Sequence, residues 1–204
     1  VFVNDSFGLS ASDSVSFSVS LGAPTINLDS PIDVYLNNGN VSFRYTASDI
    51  DLQSCELWGD FTGNWSLNKT KNNVVSGVGQ EFNLTLNDGN YSWNIKCNDS
   101  VGNSAFNGNK TFYVDTISPN ISLTQPTGIK TSRTGIPLSF SALDASPTTC
   151  IYNVYSGASL VVANTTINCS STTFDVSSDA DFILNFYIND SAGNSNSASS
   201  SFSV

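Results

Sequence analysis

The chain has 204 residues, of which 39% are hydrophobic and 11% aromatic, so it can bury a core; only 12% are charged, with seven Lys+Arg against seventeen Asp+Glu and a net charge of −10. Polarity comes instead from 35 Ser, 25 Asn and 17 Thr. There is no His, hence no imidazole base, no Ser-His or Cys-His pair and no His-ligated metal, and only two glutamates, Glu56 and Glu81, are present for carboxylate acid–base work. The negative charge repels phosphate backbones and anionic lipid headgroups, which argues against nucleic-acid partners. No window approaches the 18 or so consecutive apolar residues of a membrane span, so direct insertion is not expected. The composition points away from an enzyme.

The chain opens Val1-Phe2-Val3, with no Met, no basic n-region and no signal-type apolar stretch. A fragment or mature product of a longer protein is the expectation. In chain order, Asn4-Asp5-Ser6-Phe7-Gly8 lies between an apolar run and the strand-like Val15-Ser16-Phe17-Ser18-Val19. A Pro and an alternating strand follow, Pro24-Thr25-Ile26-Asn27-Leu28. Val41, Phe43, Tyr45 and Ala47 then alternate with polar residues, the period of a half-buried strand. Residues 60–80 read as an extended irregular stretch. Tyr91, Trp93, Ile95 and Cys97 share one face of a strand that runs into Asn98-Asp99-Ser100-Val101-Gly102-Asn103. Thr111-Phe112-Tyr113-Val114 closes this unit.

The same order then repeats. Pro119-Asn120-Ile121-Ser122-Leu123 answers Pro24–Leu28, and Ile136, Leu138, Phe140 and Ala142 answer Val41–Ala47. Phe182, Leu184, Phe186 and Ile188 lead into Asn189-Asp190-Ser191-Ala192-Gly193-Asn194, and Ser201-Phe202-Ser203-Val204 ends the unit. Internal self-similarity of this kind is the mark of a repeat architecture. The predicted division is 1–19, the C-terminal hairpin of a preceding repeat; 20–114; and 115–204. No helical period appears. Asn38-Gly39, Asp88-Gly89 and Asn107-Gly108 are expected to supply positive-φ turn residues. About seven short strands per repeat predict an all-β fold of tandem immunoglobulin-like sandwiches.

The chain resembles the tandem immunoglobulin-like repeats of prokaryotic, especially archaeal, surface and filament proteins. The residues that carry the resemblance are Asp88-Gly89-Asn90-Tyr91-Ser92-Trp93 leading into Cys97–Asn103, plus Asp115…Pro119 between repeats. The second repeat departs from it, with Asp179-Ala180-Asp181-Phe182 in place of the Gly turn and Tyr, and Ile188 in place of Cys97. The resemblance implies a structural or adhesive role outside the cell.

Four cysteines fall two per repeat, with no zinc spacing. Third and penultimate strands are neighbours in such a sandwich, so Cys55–Cys97 is the expected bridge; Cys150–Cys169 would clip the third strand of the next repeat to the segment after it. Disulfides imply an oxidising compartment, so the expected location is the cell surface or beyond. Asn-x-Ser/Thr occurs twelve times, at Asn4, Asn40, Asn64, Asn68, Asn83, Asn90, Asn98, Asn109, Asn120, Asn164, Asn168 and Asn189. Chance at this composition gives about six, which favours use as glycan acceptors. At Asn4, Asn98 and Asn189 turn chemistry is an additional explanation.

Three sharper readings concern particular side chains. Asp99 is expected near Asp49 and Asp51, and Asp190 near Asp144, because the last turn and the loop after the second strand share one end of a sandwich. Oxygen-only clusters suit calcium, although solvated turn carboxylates are the favoured explanation. No other cofactor is expected. Trp58, of opposite parity to Cys55 and Leu57, and Trp65 are candidates for stacking on a sugar. Lys69, Lys71, Lys96, Lys110 and Lys130 are weak candidates for a Lys–Asn crosslink. The expected function is therefore a glycosylated, disulfide-stapled structural repeat, a stalk, sheath or fibre element. Its partners would be neighbouring repeats or identical subunits. The rival functions are an adhesin or carbohydrate-binding module and an accessory domain of a secreted enzyme. Residues 1–19 are expected to be completed by an upstream repeat or by another subunit.

Overall fold

A computed structural model describes residues 1–15, 22–145 and 147–204. The expected strand at Val15–Val19 therefore lies almost wholly outside the described residues. Strands β1 (Phe2–Asn4) and β2 (Ser10–Ser12) form a separate antiparallel pair. Next come β3 (Thr25–Ser30), β4 (Tyr35–Leu36), β5 (Asn40–Ser48), β6 (Leu52–Gly59), β7 (Ser66–Asn72), β8 (Gly79–Thr85), β9 (Gly89–Asp99), β10 (Ser104–Phe106) and β11 (Lys110–Val114). The remainder contains β12 (Asn120–Gln125), β13 (Gly128–Ile129), β14 (Ile136–Leu143), β15 (Pro147–Ser156), β16 (Ser159–Ile167), β17 (Thr172–Phe174), β18 (Asp181–Asp190) and β19 (Ser195–Ser203). The all-β expectation holds: no helix occurs among the described residues.

In the first full repeat a three-stranded sheet, β3-β5-β8, faces a sheet of order β4-β11-β9-β6-β7, with β10 also on β9. The second repeat answers with β12-β14-β17 and β13-β19-β18-β15-β16. This is the immunoglobulin-like arrangement, seven strands with the first one split so that its second half crosses to the other sheet. That half pairs parallel with the last strand, β4 with β11 and β13 with β19. The stretch expected to be irregular, 60–80, contains β7 on the edge of β6. Its sequence Ser66-Leu67-Asn68-Lys69-Thr70-Lys71-Asn72 buries neither face, so no alternation announces it.

Each repeat has its own core. Val41, Phe43, Tyr45 and Ala47 of β5 meet Cys55 and Leu57 of β6 and Trp93, Ile95 and Cys97 of β9. The rings of Phe43 and Trp93 pack edge to face at 5.1 Å, and Trp93 Nε1 donates to Pro31 O at 2.8 Å, so the buried indole is satisfied. In the second repeat Ile136 and Leu138 meet Cys150, Tyr152 and Val154 of β15 and Phe182, Leu184, Phe186 and Ile188 of β18. The alternation read in the sequence is thus the alternation of burial.

The turn glycines require correction. Gly39, Gly89 and Gly108 are absent from the positive-φ residues, which include Gly8, Gly102 and Gly193 at φ 79°, 98° and 89°. Gly39 is needed for a different reason: a Cβ there would lie 2.4 Å from Leu86 O. The three positive-φ glycines occupy the same place in Asn-Asp-Ser-x-Gly, where an L side chain would be strained.

Cys55 and Cys97 are direct cross-strand partners, joined with Cα atoms 4.1 Å apart; Cys150 is joined to Cys169, two residues beyond β16, at 5.1 Å. The bridges close loops with sequence separations of 42 and 19. By chain entropy the shorter is worth about 3 kcal/mol. Replacing Cys150 and Cys169 together by Ser should therefore lower the second repeat's unfolding free energy by about 3 kcal/mol in urea titration. Tyr45 supplies a contrary case. Its ring is fully buried and its hydroxyl has no hydrogen-bond partner among the described residues; burial pushes its pKa up to about 12. Because an unfolded Tyr ionises from about pH 10, stability should fall as pH rises from there towards the folded value. Tyr45→Phe should raise stability by about 1 kcal/mol at neutral pH and remove that share of the alkaline loss, both read by denaturant titration across pH.

Candidate functional site

The aspartates that the sequence singles out converge at one end of each sandwich. Asp99 ends β9 and opens the turn to β10. Its Oδ1 accepts from the amides of Val101 at 3.0 Å and Asn103 at 2.8 Å, and its Oδ2 accepts from Asn103 Nδ2 at 2.7 Å. The loop between β5 and β6 brings Asp49, whose Oδ1 accepts from the Asp51 amide at 3.1 Å, and Asp51, whose carbonyl accepts from the Ser100 amide at 3.1 Å. Carboxylate oxygens of Asp49, Asp51 and Asp99 lie within 4.8 Å of one another.

The second repeat builds the same arrangement with a new member. Asp190 accepts from the Asn194 amide at 2.8 Å and from Asn194 Nδ2 at 2.7 Å. Asp144 and Asp115 complete a triad with it, again within 4.8 Å. Sequence reading missed Asp115 as a member. The available signal was its place at the start of the inter-repeat segment, and the matching position at the start of the first full repeat, in Ser20-Leu21-Gly22-Ala23-Pro24, is Ser20 and carries no carboxylate.

Asp99 and Asp190 are 1% and 4% exposed, and so among the few buried polar residues. Burial opposes ionisation of Asp99, but the hydrogen bonds from the Asn103 side chain and from the amides of Asn103, Val101 and Gly102 outweigh it and hold its carboxyl below the usual range. Asp115 moves the other way. Burial, together with the charges of Asp144, Asp190 and Asp88, lifts its carboxyl above the usual range despite the hydrogen bond from the Ile117 amide. The donor set of each triad is carboxylate oxygen alone. That suits a hard cation such as Ca²⁺, of whose six to eight ligands it would supply about three. The same oxygens also hold the turns together.

The inter-repeat segment is tied from both sides of the same site. Thr116 donates to Asp88 Oδ1 through its amide at 3.0 Å and its hydroxyl at 2.9 Å. Asn194 Nδ2 reaches Asp115 O at 2.7 Å, and Asn196 Nδ2 reaches Pro119 O at 2.8 Å. Two asparagines that sequence reading did not single out are buried within strands. Asn94 Nδ2 donates to Asn109 Oδ1 at 2.8 Å, and Asn153 links Asn164 and Asn185 at 2.8 and 3.0 Å.

The remaining candidates are scattered. Ten of the twelve sequon asparagines are exposed, while Asn68 and Asn98 are half-buried. Trp58 lies half-buried on the outer face of β6, its Nε1 donating to Glu56 at 2.9 Å and its ring 5.9 Å edge-on from Phe106; Trp65 is an exposed loop residue. Lys96 sits 5.9 Å from the Phe106 ring, while Lys69 and Lys130 donate to Asn83 O and Gln125 Oε1.

No known protein family matches the sequence, and no curated protein matches it. Among solved structures, the fibronectin(III)-like modules of Clostridium thermocellum CbhA are 12% identical, covering 88% of this chain and 94% of theirs at a TM-score of 0.48. A tetra-tandem repeat from the extending region of a large adhesion protein is 21% identical, covering 100% of this chain and 55% of its own length at 0.42. A bacterial ice-binding adhesin of 1.5 MDa is 16% identical, covering 90% and 63% at 0.41.

The Asp115 carboxylate should be a cost to the fold when no cation is present. Asp115→Asn is expected to raise the thermal midpoint at pH 7 in EGTA, by relieving repulsion from Asp144 and Asp190. A lower midpoint for the variant would contradict this.

Proposed function

We propose that this chain is a non-catalytic structural section of an extracellular surface protein, a stalk, sheath or fibre element built from immunoglobulin-like repeats of the prokaryotic surface type. The observation that carries this reading is the connection between repeats. Four inter-repeat residues are hydrogen-bonded to Asp88 on one side and to Asn194 and Asn196 on the other, an arrangement that holds two sandwiches in series. A spacer needs that, and needs no reactive side chain. Two disulfides favour an oxidising location.

Glycans belong to the same reading. Asn64, Asn83 and Asn164 are exposed, and at Asn164 it is Oδ1 that accepts from Asn153, so the glycan-bearing nitrogen is not the atom used. Glycans there would keep a weakly charged surface soluble. Calcium at the two triads is a further expectation. Melts in millimolar calcium and in EGTA test it, a midpoint several degrees higher in calcium counting for it and superposable melts against.

A second reading, a carbohydrate-binding module, draws on the outer-face cluster of Trp58, Phe106 and Lys96. Loss of glycan-array binding in Trp58→Ala would support it over the structural role.

The structural reading is tested on native protein from its source. Protease treatment of intact cells should remove it, and the intact mass of the corresponding polypeptide should exceed that of its unmodified sequence. An unmodified mass would contradict glycosylation, and complete protection on intact cells would contradict surface exposure.

A further inference from the structure

Among the described residues, the β1–β2 hairpin is the one piece of sheet that belongs to neither core. Its geometry is nonetheless that of β9–β10 and the start of β18–β19. Asn4, Val3 and Phe2 pair with Ser10, Ala11 and Ser12; Asn98, Cys97 and Lys96 pair with Ser104, Ala105 and Phe106; Asn189, Ile188 and Tyr187 pair with Ser195, Asn196 and Ser197. The turns agree as well. The Asp5 amide donates to Leu9 O at 2.9 Å, as Asp99 does to Asn103 O and Asp190 to Asn194 O, both at 3.0 Å. Asp5 Oδ1 accepts from the Phe7 and Leu9 amides as Asp99 Oδ1 does from Val101 and Asn103.

The three hairpins differ in what covers them. The counterparts of Val1 and Val3 are Ile95 and Cys97 in one repeat and Phe186 and Ile188 in the other, all 0% exposed. They are covered because β6 and β15 pair along the edge of β9 and β18 and the facing sheet closes over them. Val1 and Val3 are 87% and 61% exposed. A two-stranded hairpin with such a face is marginal alone in water. The surface is the continuation, in a third hairpin, of an interface the fold makes twice.

We propose that β1–β2 is the last hairpin of a further immunoglobulin-like sandwich, whose third strand, carried by a repeat upstream in the same polypeptide, pairs with β1 and whose core encloses Val1 and Val3. A second copy of this chain does not meet the requirement. Its third strands, β6 and β15, are already bonded on both edges, by β7 and β9 and by β16 and β18. Hairpin against hairpin would satisfy the edge of β1 without supplying a facing sheet. The inference rests on the tandem-repeat reading but on neither location nor glycans, so the surface role can fail while it stands.

The test supplies the missing strands from the chain itself. Residues 20–94 are fused directly before Val1 of the complete 204-residue chain, so that Val1 takes the place of Ile95, and Val3→Cys is placed opposite the copied Cys55. The expected result is a new intramolecular disulfide between the copied Cys55 and position 3, found by non-reducing peptide mapping, with no thiol left to titrate. In the unfused chain the same substitution should leave a freely titrating thiol. Free thiols in the fusion, or crossed bridges, overturn the proposal. So does a position-3 thiol already shielded in the unfused chain, or concentration-dependent dimers of that chain lost on removing residues 1–15. As an independent readout, the fusion with Val3 retained and the copied Cys55→Val should slow amide exchange at Phe2–Asn4 at least tenfold; unchanged exchange overturns the proposal.

Discussion

The antiparallel pairing of third and penultimate strands is the interaction on which each repeat depends. Leu57 lies opposite Ile95 and Cys55 opposite Cys97; Val154 lies opposite Leu184 and Tyr152 opposite Phe186. All are buried, and a buried aliphatic or aromatic side chain contributes about 1.5–3 kcal/mol in transfer free energy. The three-stranded sheets pack on this pair, and beside it on Phe112 of β11 and Phe202 of β19. Phe43 and Tyr45 in one repeat, and Ile136 and Leu138 in the other, complete cores whose floor this pair provides. The first bridge is placed within that floor, and the second fastens its neighbouring edge.

The acidic turns extend the same pair beyond the core. Each penultimate strand ends in an aspartate that folds the chain back on itself, and the loop after the second strand delivers further carboxylates to it. In the second repeat the turn therefore concentrates negative charge where it meets the inter-repeat segment, through Asp115. Asn194 spans this junction, with its side chain divided between the Asp190 carboxylate and the Asp115 carbonyl. One side-chain amide thus bonds both to the turn and to the inter-repeat segment, alongside the Thr116–Asp88 and Asn196–Pro119 bonds.

Much of this was legible because period-2 burial is written in residue type. β5, β9 and β18 could be read directly from their alternating Phe, Tyr, Trp and Ile, and the recurrence of Asn-Asp-Ser-x-Gly placed equivalent turns in equivalent positions. Topology then brought Asp49, Asp51 and Asp99 together from 50 residues apart. What escaped had no periodic signature. β7 lies on an edge with both faces wet, so nothing in its composition distinguishes it from a loop. Gly39 was read as a source of unusual φ when the constraint was the proximity of a carbonyl contributed by Leu86, a long-range fact. Asn94 and Asn153 look like exposed polar residues until their partners, in the β10–β11 loop and on β16, are known.

The split first strand has a mechanical meaning. In each repeat the second half of the first strand runs parallel to the strand by which the chain leaves, β4 beside β11 and β13 beside β19. Tension applied through the two ends of a sandwich pulls such a pair in opposite directions along its own length. The hydrogen bonds between them are then strained in shear, all together, instead of being unzipped one after another. Asp115, whose amide donates to Leu36 O at 2.9 Å just past the end of that clamp in the first repeat, lengthens it by one more bond before the force reaches the next sandwich.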